Sequence, residues 1–148
     1  MEEKDIREVL KITLERLRDK KPVWQLEGSA NLMIQGLDVS IRDLDITTNE
    51  EGIEIFREAL KDLITKDFYS DKIKGPSLIC DINGFEVEIN CYGDRDKNYF
   101  DEVRIINWGE LEVPILPLEC ALEFYKSIGR EEKVKLIEDY LKNKSDSI

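Results

Sequence analysis

Residues 77–91 read SLICDINGFEVEINC, two runs of alternating apolar and polar residues hinged on Asn83-Gly84. Asn-Gly suits a two-residue turn with positive φ at both central positions, whose twist matches that of an antiparallel strand pair. Alternation then assigns the faces. Phe85, Val87 and Ile89 point one way, and Glu86, Glu88 and Asn90 point the other. Helical stripes on either side of this hairpin make the chain an α+β protein, with one sheet face in a core and the other carrying carboxylates.

The remaining elements follow from periodicity and punctuation. Ile6, Val9, Leu10, Leu14 and Leu17 form a helical stripe over residues 3–20, closed by the charged run RDKKP. Pro22–Glu27 predicts a short apolar strand. Ser29 is expected to cap a helix over Ala30–Gln35 that Gly36 ends. Ile41–Thr48 predicts a strand with Leu44 and Ile46 on one face and Asp43 and Asp45 on the other. A helix is expected from Asn49 to about Leu63, with Ile53, Phe56, Leu60 and Leu63 inward.

A further strand pair is expected around Trp108-Gly109. Pro117 opens a helix whose Leu118, Ala121, Leu122, Tyr125 and Ile128 share one side; Gly129 breaks it, and Glu131–Lys142 forms the last helix. The tail KNKSDSI is expected to fray. With no repeat or linker, residues 1–148 read as a single domain with a mixed sheet of about 4–6 strands. Helices pack on one face, and a short helical segment occupies about 117–143.

What the chain lacks narrows its chemistry. It has no histidine, which removes Ser-His-Asp and Cys-His catalysis and histidine-based zinc sites. Chemistry must then rest on carboxylates, lysine, arginine, hydroxyls, thiols and bound metal. A net charge of −11 disfavours nucleic-acid or anionic-membrane binding by the whole surface. Cys80, Cys91 and Cys120 form no CxxC pair and read as reduced, buried residues. The charged start MEEKDIREVL lacks the apolar core of a signal peptide, and no apolar run is long enough for a spanning helix. The expectation is a cytoplasmic protein.

Asp43 and Asp45, two apart on a strand, project from one face about 6–7 Å apart. Close carboxylates repel, and a hard cation such as Mg²⁺ or Mn²⁺ relieves them while leaving positions for phosphate oxygens. Acid-x-acid triplets are common in a chain with 33 acids, so the weight falls on context. Glu86 and Glu88 on the hairpin offer a third carboxylate. Gly28-Ser29 supplies the complement: a glycine that permits close backbone approach, N–H groups at a helix start, and a hydroxyl. Phosphate on one side and cation on the other make a nucleotide–metal site.

At this point the chain resembles the nucleotidyltransferase superfamily with the polymerase-β-like fold. Its members carry Gly-Gly or Gly-Ser after an apolar strand, then Asp-x-Asp or Asp-x-Glu, then a later third acid. Here VWQL precedes Gly28-Ser29, thirteen residues intervene, and Asp43-Leu44-Asp45 follows. GFEVEIN looks like the third-acid strand, with Glu88 the preferred match and Glu86 on the same face. The segment ALEFYKSIGREEKVKLIEDYL is similar to the C-terminal helices of small stand-alone members, the lincosamide-type and AbiEii-type nucleotidyltransferases. It brings Lys126 and Arg130 towards the nucleotide, with Glu131-Glu132-Lys133 where Lys-Asp is common.

The resemblance implies Asp43, Asp45 and Glu88 as catalytic and metal-holding residues, with Gly28, Ser29, Lys126 and Arg130 binding the nucleotide. It implies transfer of a nucleoside monophosphate from an NTP to the hydroxyl of a small-molecule or protein acceptor, with Mg²⁺ or Mn²⁺ as cofactor. Glu88 is alternatively a general base. The competing reading is an inactive relative that binds a nucleotide or a protein partner, antitoxin-like, or forms a homodimer.

Overall fold

A computed structural model describes residues 1–95 and 97–146. In chain order the elements are α1 (Glu3–Leu17), β1 (Trp24–Glu27), α2 (Gly28–Ile34), β2 (Leu44–Thr48), α3 (Glu50–Ala59), β3 (Ile64–Ser70), β4 (Gly75–Ile82) and β5 (Phe85–Asn90). A 3₁₀ turn at Phe100–Glu102 follows, then β6 (Arg104–Trp108), β7 (Leu111–Ile115), α4 (Leu118–Ser127) and α5 (Glu131–Asp146). Asn83 and Gly84 both lie at positive φ, 56° and 84°, and close the β4–β5 hairpin.

All seven strands form one sheet in the order β3-β4-β5-β2-β1-β7-β6. β2 pairs with β5 and β1 with β7 in parallel, while every other neighbouring pair is antiparallel. Register at the centre decides what the polar face carries. Glu27 of β1 stands opposite Asp45 of β2, and Asp45 stands beside Glu88 of β5. One step along, Gln25, Thr47 and Asn90 form the next row. Leu26, Leu44, Ile46, Val87 and Ile89 alternate with these rows and enter the main core.

That core joins the sheet to α1 and α3 through Ile6, Val9, Leu10, Ile53 and Phe56, all at most 1 % exposed. A second cluster gathers Leu32 and Leu37 with Leu116, Tyr99 and the inner sides of α4 and α5. The helical pair is thus anchored by its own apolar seam, next to the end of the sheet where β1 passes into α2. No described helix is long and apolar enough to cross a membrane.

The sheet is larger than the four to six strands that the pattern suggested. β3 is the strand that went unread, and its segment ITKDFYS is mostly exposed on a sheet edge. An edge strand with charges and no buried face carries no period-two signal. For the same reason α3 ends at Ala59 rather than near Leu63, the chain turning at 60–63 to enter β3. β2 begins at Leu44, so Asp43 lies just ahead of the strand. α5 continues through Asp146, past the expected end at Lys142; the last two residues of the tail expected to fray, 147–148, lie outside the described residues.

Ser29 does not cap α2. The helix starts at Gly28, Glu27 takes the cap position without a side-chain bond, and the Ser29 hydroxyl faces elsewhere. Asn49, by contrast, caps α3 by accepting from the Gly52 N–H at 2.7 Å. Cys80, Cys91 and Cys120 are free and buried.

Ile46 lies at the centre of the sheet with no exposed surface. Ile46→Ala should lower unfolding stability by about 2–5 kcal/mol. Urea denaturation is expected to show this as a lower midpoint with an unchanged slope.

Candidate active site

A cleft of about 870 Å³ opens over the polar face of β1, β2 and β5, with α4 and the start of α5 forming its other wall. Gly28, Ser29, Asp43, Asp45, Glu88 and Arg130 all line it. The two halves read from the sequence, the Gly-Ser turn and the carboxylates, are in contact. Gly28 has φ +70°, and a Cβ at that position would collide with Oδ2 of Asp45. Glycine is required there twice over, by its backbone conformation and by the carboxylate packed on its α-carbon.

Glu88 is fixed by a short relay. The Ser77 hydroxyl donates to Asn90 Oδ1 at 2.6 Å, and Asn90 Nδ2 donates to Glu88 Oε1 at 3.1 Å. Glu86 sits one step further out, opposite Asp81 of β4 and exposed. The register therefore places Glu88, not Glu86, beside Asp45.

Burial pushes the Asp45 carboxyl up to about 7, with Asp43, Glu88, Glu27 and Glu86 adding repulsion in that order. The charge of this row is thus incompletely compensated by protein. Hard carboxylate oxygens under such repulsion suit a divalent cation. Among the described residues no group of three or more acidic or thiol side chains closes around a common point. A cation would accordingly rest on Asp43 and Asp45, with Glu88 adjacent and substrate phosphates supplying further oxygens, as Mg²⁺ sites commonly do.

Cations come from the other wall. Gly129, at φ +73°, ends α4, and the Arg130 N–H donates to Tyr125 O at 3.0 Å. The first turn of α5 then carries Lys133 across the cleft, where its Nζ donates to the Ser29 hydroxyl at 3.0 Å. Lys126 is placed differently. Its Nζ lies 3.6 Å from Glu138 of α5, and it is not among the described residues that line the cleft.

Lys133, Glu27 and Arg95 are site residues that the sequence reading missed. Lys133 stood in the Glu-Glu-Lys run after Arg130, and helical spacing from Gly129 was the signal available for it. Glu27 closes the strand before Gly28, and only the strand register brings it level with Asp45. Arg95 lies in the connection after β5, where no periodicity marks it. Tyr92 and Tyr125 also face the cleft, and burial raises each phenol to about 12, so both stay protonated donors at neutral pH.

The fold has counterparts among solved structures. Over 97 % of its length, at 26 % identity and a TM-score of 0.77, the chain is similar to TM1012 from Thermotoga maritima, provisionally a nucleotidyltransferase, of which 96 % is covered. It is similar in fold to the lincosamide antibiotic adenylyltransferase LnuA in its lincomycin-bound form. The identity is 15 % and the TM-score 0.62, with 93 % of this chain and 97 % of that one covered. ANT(2")-Ia in complex with adenylyl-2"-tobramycin matches at 13 % identity and a TM-score of 0.52, with coverages of 93 % and 88 %. No family model and no curated protein matches the chain. The chain therefore has the nucleotidyltransferase fold, with structural neighbours drawn from that superfamily.

Two outcomes follow for the acid row. Because the folded protein holds the Asp45 proton more tightly than the unfolded chain does, this residue disfavours folding as pH rises from about 4 to 7 and fully above 7. Asp45→Asn should then raise stability by on the order of 1–4 kcal/mol at pH 8 and leave it nearly unchanged at pH 4. Thermal unfolding at the two pH values measures this; equal shifts at both would contradict it. Gly28→Ala should displace the Asp45 carboxylate and lower the melting temperature, read in the same assay.

Proposed function

We propose that the protein is a metal-dependent nucleotidyltransferase that moves a nucleoside monophosphate from an NTP to the hydroxyl of a small-molecule or protein acceptor. The observation that carries this reading is the contact between Gly28 and Asp45, which joins the glycine turn at a helix start to a carboxylate row in one cleft. The two adenylyltransferases with the same fold, one of them holding an adenylylated product, support the same class of chemistry.

Asp43 and Asp45, with Glu88 beside them, would hold Mg²⁺ or Mn²⁺. A cation bound there would supply neutralisation of triphosphate charge and polarisation of the α-phosphate. The backbone N–H groups at Gly28 and Ser29 and the Ser29 hydroxyl contact phosphate oxygens. Lys133, already on Ser29, and Arg130 take up the charge that collects on pyrophosphate as it leaves. Glu88, aimed by Asn90, receives the proton of the acceptor hydroxyl as that oxygen bonds to the α-phosphorus. Tyr92 and Tyr125 line the same cleft.

Calorimetric titration with an NTP in Mg²⁺ is expected to show binding that chelation removes. Asp43→Asn or Asp45→Asn should abolish it while circular dichroism stays native; undiminished binding in both variants would sink the reading. Lys133→Ala should raise the NTP KM about tenfold or more, the worth of one charge-assisted contact. Tight NTP binding without turnover against a broad acceptor panel would leave a nucleotide-binding module in place of an enzyme.

A further inference from the structure

One ion pair in the cleft is not explained by nucleotide transfer. Glu27 accepts from Arg95 Nη1 at 2.9 Å and Nη2 at 3.1 Å, a two-pronged pair whose side chains are 7 % and 4 % exposed. Gln25 Nε2 donates to the same carboxylate at 2.7 Å. The guanidinium sits in the corner of two nearly perpendicular rings, 3.8 Å from the Tyr92 ring centre and 4.0 Å from that of Phe124. It thus ties β1, the connection after β5, and α4 together.

A buried pair of this kind is weak evidence of a stabilising role, because desolvation offsets its attraction. The bonding around it is also incomplete, since Arg95 Nε and Gln25 Oε1 are buried with no hydrogen-bond partner. What distinguishes the pair is its place. Glu27 is the fourth carboxylate of the site and stands in direct register with Asp45, on the same face. Left unpaired, it would be a competing oxygen ligand for any cation seated on Asp43 and Asp45.

We infer that Arg95 is a positioning residue that sequesters Glu27 from the metal site, so that the cation is held by Asp43 and Asp45 rather than drawn towards β1. This rests on the transfer reading above. Bidentate pairing engages both Glu27 oxygens, Oε2 also accepting from Gln25, and the guanidinium sits in the corner formed by the Tyr92 and Phe124 rings, which are set 74° apart. The carboxylate row then offers Asp43, Asp45 and Glu88 to a cation, with the Glu27 oxygens engaged inside the protein. A cation held by fewer protein carboxylates keeps positions for phosphate oxygens; an added protein ligand occupies one of them.

The test is Mn²⁺ binding in the absence of nucleotide, followed by the loss of the free-ion paramagnetic resonance signal. Arg95→Met should tighten Mn²⁺ binding roughly tenfold, because Glu27 becomes available as a ligand. Adding Glu27→Gln to that chain should return the affinity to within about threefold of the unsubstituted protein. A pair that acts only as a structural clasp would weaken or leave unchanged Mn²⁺ binding in both variants, and that result overturns the inference.

Should Arg95→Met not fold, Glu27→Leu with Arg95→Met replaces the whole pair with apolar side chains. Affinity within about threefold of the unsubstituted protein supports a Glu27 held outside the metal site, and a tenfold loss marks Glu27 as a ligand and overturns it. Failure of the unsubstituted protein to take up Mn²⁺, with or without NTP, would overturn the transfer reading and this inference together. Normal uptake without tightening in a folded Arg95→Met overturns the inference alone.

Discussion

The Asp45 carboxylate packed on the α-carbon of Gly28 is the contact on which the rest of the cleft depends. It fixes how closely the turn after β1 approaches β2. Through the antiparallel β1–β2 register it also fixes where Glu27 stands, and through the parallel β2–β5 register where Glu88 stands. The apolar side of the same three strands is closed by α1 and α3, so the acids have one direction left to face.

Concentrating negative charge on one sheet face is unfavourable, and the protein compensates only part of it. Arg95 pairs with Glu27 from within, and Asn90 donates to Glu88. Asp45 has no such hydrogen bond or ion pair among the described residues, and its carboxyl rises to about 7 through burial first and its acidic neighbours second. On the opposite wall Lys133 meets Ser29, at the turn. The Lys133 charge thus stands at the turn, and the carboxylates stand across the cleft from it. Such separation favours a ligand that bears both, as a metal–triphosphate does.

Much of the candidate site is legible because strand alternation is a local property. Asn83-Gly84 set the hairpin, and the hairpin set Glu88 on the polar face with Asn90. The acids at 43 and 45 and the turn at 28–29 were readable as a pair from their order along the chain. What could not be read locally was register between strands distant in sequence, which is why Glu27 went unnoticed although it adjoins Gly28. Arg95 sits in irregular structure and gives no periodic signal. β3 was missed because an exposed edge strand has no buried face to betray it. Lys126 and Lys133 lie on the same helical pair, and only the turn at Gly129 decides which one crosses the cleft.

The central pairings also bear on how the protein is made. β2 joins β5 only after α3, β3 and β4 have intervened, and β1 joins β7 across most of the chain. Such non-local closure slows folding, since loop entropy is lost before the contacts return anything. Synthesis runs from the N-terminus, so the strands bearing Glu27, Asp45 and Glu88 emerge before α4 and α5 exist to cover them. During translation the negative half of the cleft precedes the positive half, and the growing chain carries a bare anionic surface until its last helix arrives.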